Sequence, residues 1–397
     1  MPRVDCLKAV PIQRSARVMQ LEGIFDVPPA QRSTFRFSAH LPLEEEDWTI
    51  GLIVGPSGSG KTTIARDLFG TAMDRPFAWP HDHSLIDAFP EPMQIKQITE
   101  LLSSVGFSSP PSWLRPFHAL SNGEQFRVTI ARMLAEAVHT PRTHEDVPRL
   151  VVVDEFTSVV DRTVARIGSA AISKAIRRNA NDPLRRCRFV AVSCHDDIID
   201  WLSPDWTYEP AADQFQWRRE RRRPPLSLEI CRVHRKAWRL FSHHHYLSGN
   251  LSPLAKCFVA FVDSRPAAFT AVLSFPHPKR PGWREHRTVC LPDFQGVGIG
   301  NAISEFVAGL FKGTGKPYRS TTSSPSMIHH RARSPLWKMI RKPSMVRNRR
   351  HRGLKQCNYV SSYGRLTASF EYVGPPREFT SVSTGLNSNG APFVGRA

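Results

Sequence analysis

The sequence predicts an α/β N-terminal half built on a parallel sheet, followed by a smaller mixed-sheet α+β domain. Three observations carry that prediction. Apolar strand-like runs without alternation are separated by helical stretches. Two Gly-rich turns each end a strand and open a helix. Between them lies a charged, proline-rich break near residue 220. Runs that lack in/out alternation are covered on both faces, as in a parallel sheet flanked by helices.

Residues 1–48 read as short strands and loops ending in an acidic turn at 44–47. A buried-strand run at 49–54 feeds a Gly-rich loop and a helix starting near Lys61. Proline-rich loops over about 76–119 surround one amphipathic helix at 95–105. A long helix follows Ser121, apolar at Phe126, Val128, Ile130, Ala131, Met133 and Leu134. Residues 150–153 and 189–192 are further apolar strands. Arg218 to Arg223, then Pro224 and Pro225, mark a linker. The second half restarts with a helix at 232–241, a hairpin of 257–262 and 267–274, a strand at 286–291, an amphipathic helix and a strand near 317–322. The predicted organisation is a first domain at 1–215, a basic linker at 216–225, a second domain at 226–340, and a basic segment with a Ser/Gly/Asn-rich tail at 341–397.

Charge separates the halves. The chain of 397 residues carries 54 Lys+Arg and 35 Asp+Glu, net +19. Residues 1–215 hold 23 and 27 of these, net −4, so residues 216–397 hold 31 and 8, net +23. A basic field of that size favours polyanions, with nucleic acid first among them. Seven scattered cysteines without a CxxC pair argue against a disulfide framework or zinc ribbon and fit a reducing cytosol. No stretch of 18 apolar residues and no signal-like N-terminal run occur, so a cytoplasmic protein is expected.

Gly55-Pro-Ser-Gly-Ser-Gly60-Lys61-Thr62 matches the phosphate-loop pattern GxxxxGK[ST] between a strand and a helix. Its backbone amides (Gly55, Ser57, Gly58, Ser59, Gly60, and Thr63 beyond) suit phosphate oxygens. Lys61 is placed for the terminal phosphates, and the Thr62 hydroxyl for Mg²⁺. The run 150–153 then presents Asp154 as a Mg²⁺ ligand and Glu155 to orient or deprotonate a water.

Leu120-Ser121-Asn122-Gly123-Glu124-Gln125 opens the long helix and resembles the LSGGQ signature of ABC ATPases, with Asn122 in place of a glycine. Asp161 in Ser158-Val-Val-Asp161 resembles the D-loop, and His195 the switch histidine of that family. The resemblance covers about 15–215 and implies ATP and Mg²⁺ as ligands. It also implies a homodimer in which Ser121 and Gly123 of one copy face the phosphate loop of the other. Phe156 stands where the family has Pro. Gln94 and Gln97 both remain candidates for the Q-loop glutamine, and Phe25, Phe35 and Phe37 for the adenine-stacking aromatic. The interval from Lys61 to Ser121, 121 − 61 = 60 positions, is short for docking membrane subunits.

In the second half, Gln295-Gly296-Val297-Gly298-Ile299-Gly300 closes a strand and opens a helix apolar at Ala302, Ile303, Phe306, Val307, Leu310 and Phe311. It resembles the Q/RxxGxG/A pyrophosphate loop of GNAT acyltransferases over about 225–340. That implies acetyl-CoA held by Gln295, Gly296, Gly298 and Gly300. His245, Tyr246, His286, Tyr318 and His329 are candidate acids, bases or acceptor-site residues. The run His243–His245 lacks the three-point geometry of a metal site.

Overall fold

The computed structural model describes residues 3–73, 77–139, 149–179, 187–218, 226–245, 250–345, 366–379 and 395–396. Tyr246, the basic run 347–352 and most of the predicted linker and tail lie outside them.

In chain order the elements are β1 (Arg3–Pro11), α1 (Ala16–Phe25), β2 (Arg32–His40), β3 (Ile50–Val54), α2 (Lys61–Phe69), α3 (Ile95–Ser104), α4 (Pro110–Trp113) and α5 (Asn122–His139). There follow β4 (Arg149–Val153), α6 (Arg162–Asn179), β5 (Cys187–Ser193), α7 (Ile198–Leu202), β6 (Trp206–Glu209), β7 (Gln214–Trp217) and β8 (Glu229–Val233). The rest are α8 (Trp238–Phe241), β9 (Lys256–Val262), β10 (Arg265–Phe275), β11 (Gly282–Cys290), α9 (Ile299–Lys312), β12 (Tyr318–Thr322), α10 (Pro325–Arg333), β13 (Trp337–Met345), β14 (Leu366–Tyr372) and β15 (Gly395–Arg396).

The chain forms two compact units, each discontinuous in sequence. The first comprises Met1–Phe77, Thr140–Val159 and Ile176–Arg223. Its sheet runs β4-β5-β3-β6-β7, parallel except for the β6–β7 hairpin. Every residue of β3 is buried, which is why its sequence lacks alternation. Gly51 is required there because the Trp206 indole lies where a Cβ would stand. Asp205, 4% exposed, accepts from the Thr49 and Ile50 amides at 2.7 and 2.9 Å and pairs with Arg177 at 3.0 Å. One carboxylate thus fixes where β3 begins, so the loop after Val54 is aimed by the far end of its strand.

The second unit comprises Ala78–His139, Val160–Ala175 and Pro224–Ala397. Its sheet runs β13-β14-β12-β11-β10-β9-β8-β15, antiparallel except for β11 with β12. That parallel pair is in register only at Trp283 with Tyr318 and Arg284 with Arg319. The amphipathic helix α9 buries Ile303, Val307, Ala308, Leu310 and Phe311 against this sheet. The predicted helix at 232–241 is corrected: residues 229–233 form β8, and the helix is the four-residue α8. Ile230 and Cys231 are buried and pair with Ala260 and Val259 of β9, so cross-strand pairing overrides a helical reading there. The hairpin turn falls at Asp263 and Ser264, both at positive φ.

Candidate functional site

In the first unit, β3 lies beside β5, and β5 beside β4, all parallel, so their C-terminal ends open on one edge. The loop from Gly55 to Gly60 leaves β3 and enters α2. Gly58 (φ +82°) and Gly60 (φ +87°) adopt the left-handed conformation that curls the chain, and a Cβ at Gly58 would meet no atom of the described residues within 4 Å. The Ser59 hydroxyl is buried without a hydrogen-bond partner among the described residues. An open cradle with an orphaned hydroxyl suits phosphate oxygens. The Lys61 ammonium donates to the Pro56 carbonyl at 2.7 Å and so arches back over the loop.

Thr62 donates its hydroxyl to Asp154 at 3.2 Å, joining the start of α2 to the end of β4. These are the two oxygen ligands the sequence assigned to Mg²⁺, and the structure brings them together. Asp154 also accepts the Glu155 amide at 2.9 Å. Glu155 (φ +49°) and Thr157 (φ +68°) are non-glycine residues in the left-handed region. Such backbone costs of order 1 kcal/mol per residue and is kept where the surroundings fix it. Phe156 provides that fixing: fully buried, it donates its amide to Val192 at 2.8 Å, accepts from the Ser193 hydroxyl at 3.2 Å and packs edge-on against Phe189. The Ser193 hydroxyl also accepts the His195 amide at 3.2 Å. The Glu155 turn and His195 therefore hang from one serine at the end of β5.

The remaining nucleotide-site candidates lie in the second unit. Ser121 and Glu124 form a capping box: Glu124 accepts the Ser121 amide at 3.0 Å and hydroxyl at 3.1 Å. Glu124 is buried and accepts from Ser112 at 3.2 Å, so the start of α5 is rigid. A Cβ at Gly123 would stand 3.0 Å from a Val164 methyl, a tight contact. Asp161 caps α6 by accepting the Thr163 and Val164 amides at 2.9 and 3.2 Å. Gln94 and Gln97 form the capping box of α3. Phe25 is exposed at the end of α1, and the side chains of Phe35 and Phe37 lie outside the described residues.

The second Gly-rich loop divides in two. The Gln295 side chain accepts the Ser108 amide at 2.6 Å and donates to the Cys290 carbonyl at 2.9 Å. A Cβ at Gly296 (φ +92°) would stand 2.6 Å from the Gly106 Cα and 2.7 Å from the Ala171 Cβ. Arg127, fully buried, donates to the carbonyls of Gly106, Pro292 and Asp293. This half of the loop is thus packed onto residues 106–108 and helices α5 and α6. The other half is open: Gly298 (φ +102°) precedes α9, and among the described residues nothing lies within 4 Å of a Cβ there. Gly300 turns its amide toward the Cys290 thiol, which burial pushes up to about 12.

Sequence reasoning missed the most polar part of the core. Beside α9 the fully buried Arg331 pairs with Glu285 at 3.0 Å. Glu285 also accepts from Thr288 at 2.6 Å, Ser304 at 2.7 Å and Ser320. Burial pushes that carboxyl up, but the Arg331 guanidinium and the hydroxyls outweigh it and hold it below the usual range. The available signal was a lone acid in an arginine-rich strand, Trp283-Arg-Glu285-His-Arg287. His286 accepts the Ser252 amide at 3.3 Å, and burial with Arg287, Arg284 and His245 lowers it to about 4. Tyr318 is buried, its hydroxyl without a hydrogen-bond partner among the described residues, and is held well above its ordinary value by burial and Glu285. His245 packs edge-on against Trp238, and His329 lies on α10.

No family model matches the chain. A sequence relative, the Fe(3+) ions import ATP-binding protein FbpC of Pseudomonas fluorescens, is 30% identical over 162 residues, covering 32% of this chain and 42% of that protein. The chain thus spans less than half the length of that relative. Structural neighbours include a putative cobalt transport ATP-binding protein (TM-score 0.32, 19% identity, 51% of this chain and 79% of that chain). Another is a bacterial ABC transporter cassette solved as a dimer (TM-score 0.33, 14% identity, 47% of this chain and 93% of that chain). Among the described residues no helix is long and apolar enough to cross a membrane. The sequence similarity, together with the Thr62–Asp154 pair at the end of a phosphate loop, supports an ABC-type nucleotide-binding domain in this chain.

Proposed function

We propose that the chain is an ABC-type ATPase fused to a GNAT-like acyltransferase domain, and that it acts as a homodimer on a nucleic-acid acceptor. The observation that carries the ATPase reading is the Thr62–Asp154 hydrogen bond beneath an open loop, with Glu155 held one residue further on. Bound ATP with Mg²⁺ supplies the phosphoanhydride and the charge-neutralising cation. Thr62 and Asp154 would hold the cation, and Lys61 would exchange the Pro56 carbonyl for the phosphates. Glu155 orients water for in-line attack, and His195 reads the terminal phosphate from the end of β5. Ser121, Gly123 and Asp161 serve the partner copy's nucleotide.

The acyltransferase reading is supported by the open, Gly298-led start of α9, which follows β11 after a short turn at Pro292–Phe294, and by a mixed sheet whose single parallel pair among the described residues flanks that helix. Acetyl-CoA would be held there by amides from Val297 onward, because Gln295 and Gly296 are engaged in packing. Net charge of +23 over residues 216–397 supports a polyanionic acceptor.

Calorimetry with ATP·Mg²⁺ and, separately, acetyl-CoA tests both halves. Binding of each, with acetyl-CoA binding lost in Gly298→Glu, is the expected result. ATP binding alone would leave the ATPase and remove the transfer reaction. A second reading, the ATP-binding subunit of a membrane importer, is favoured by the sequence relative, an Fe(3+) ions import ATP-binding protein. It predicts co-purification with an integral membrane partner.

A further inference from the structure

We propose that the sheet face turned away from α9, across β11, β12, β14 and β13, is a docking surface for single-stranded nucleic acid, with the stacked rings of Phe275 and His277 as its base platform. The proposal deepens the reading of a nucleic-acid acceptor and rests on it.

Strand register defines the face. Arg284 pairs with Arg319, Arg319 with Glu371, and Glu371 with Lys338, which places all four side chains in one row. Thr321, Ser369 and Arg341 form the next row on the same side. The intervening residues Ser320, Phe370 and Met339 point the other way, where Phe370 is buried in the core with α9. The face therefore presents four cations and one carboxylate. That carboxylate, Glu371, is already paired with Arg319 at 3.1 Å. Among the described residues no carboxylate pairs with Arg284, Lys338 or Arg341.

Charges on β13 have an ordinary explanation, since lysine and arginine blunt a sheet edge. Arg284 and Arg319 do not, because β11 and β12 are interior strands. Like charges directly opposite each other destabilise a sheet. Glu371 relieves only Arg319. A polyanion laid across the strands would relieve both arginines.

An aromatic platform adjoins the row. Arg319 sits over the Phe275 ring at 5.8 Å, and His277 stacks on Phe275 at 5.7 Å with 23° between the planes. The His277 ring is fixed, its Nδ1 accepting the amides of Lys279 at 3.2 Å and Arg280 at 3.1 Å. His277, Lys279 and Arg280 are all exposed. A held, solvent-facing ring flanked by cations is the arrangement on which an unpaired base stacks while its phosphates are neutralised. Duplex bases have both faces covered by their neighbours, so the platform selects single strands.

The test is fluorescence anisotropy of labelled oligothymidylate, oligouridylate and a duplex of equal length, titrated across a salt series without ATP or acyl donor. Absence of turnover and absence of binding are thereby distinguished. Single strands should bind more tightly than duplex, and the DNA and RNA arms identify the sugar. The variant R284A/K338A/R341A should lower the log–log salt slope by about 2, three phosphate contacts at ~0.7 each, and weaken binding about ten-fold or more. His277→Ala should weaken binding about five-fold or more with the slope unchanged. The control K96A/K174A, at exposed positions on α3 and α6, should bind as wild type. The proposal is overturned by a wild type without affinity, by tighter duplex binding, by a triple variant with wild-type slope, or by an equal loss in the control.

Discussion

The two Gly-rich loops are the same local device in different settings. Each lies between a strand and a helix, turns through glycines at positive φ and opens that helix with no side-chain cap. The loop at Gly55 has a partner strand that delivers Asp154 to Thr62. The loop at Gln295 has a partner surface that takes up its first two residues in packing. A helix N-terminus supplies general attraction for anions. What makes it a catalytic phosphate site is the second element brought to it, and local sequence does not encode that element.

If the first loop is catalytic, Lys61→Ala should lower phosphate release from ATP by about 100-fold or more, while the melting temperature stays near wild type. Near-normal turnover would make the two loops equivalent and remove the contrast. The packed half of the second loop offers the next largest effect. Gly296→Val would force a side chain into the Gly106 and Ala171 atoms at an unfavourable φ, at a cost of roughly 2–4 kcal/mol on thermal unfolding. Gly298→Ala, with open space at its Cβ, should cost only about 1 kcal/mol. Equal losses at the two glycines would mean that the loop is not divided as described. Arg127→Met sharpens the same point. It leaves the Gly106, Pro292 and Asp293 carbonyls without their donor, and about 2–4 kcal/mol should be lost.

How much of this was legible follows from which contacts are local. The β3–loop–α2 unit was readable because β3 is covered on both faces and the glycines follow at fixed spacing. Asp154 and Glu155 were readable because they end an equally apolar strand. Packing of Gln295 onto Ser108 was not, since it joins residues 187 positions apart, and the same residue suited a ligand loop equally well. Strands β13 and β14 were hidden because apolar Ile340, Met345 and Leu366 share their exposed positions with polar residues and β13 carries two register shifts that break its alternation. The Glu285–Arg331 pair escaped because a charged residue in a strand reads as surface until its partner, 46 positions away, is placed.

The smallest predicted effect is a pH dependence confined to the second unit. His286 is depressed to about 4 against an ordinary 6.5, so the unfolded chain binds more protons between those values. Stability from this group is therefore present above pH 6.5 and lost as pH falls toward 4. Glu285, held low by Arg331, acts in the same direction, its contribution lost as pH falls below the ordinary glutamate value of 4.5. His286→Gln should flatten the melting-temperature profile in the upper window and leave the lower one unchanged.

We propose that Glu155 completes a hydrolytic site whose closure requires two copies of the chain. Light scattering on Glu155→Gln with and without ATP·Mg²⁺ tests it directly. Wild type should hydrolyse ATP, and the variant should accumulate as an ATP-bound dimer. A variant that binds ATP yet remains monomeric, or one that hydrolyses at the wild-type rate, would contradict it.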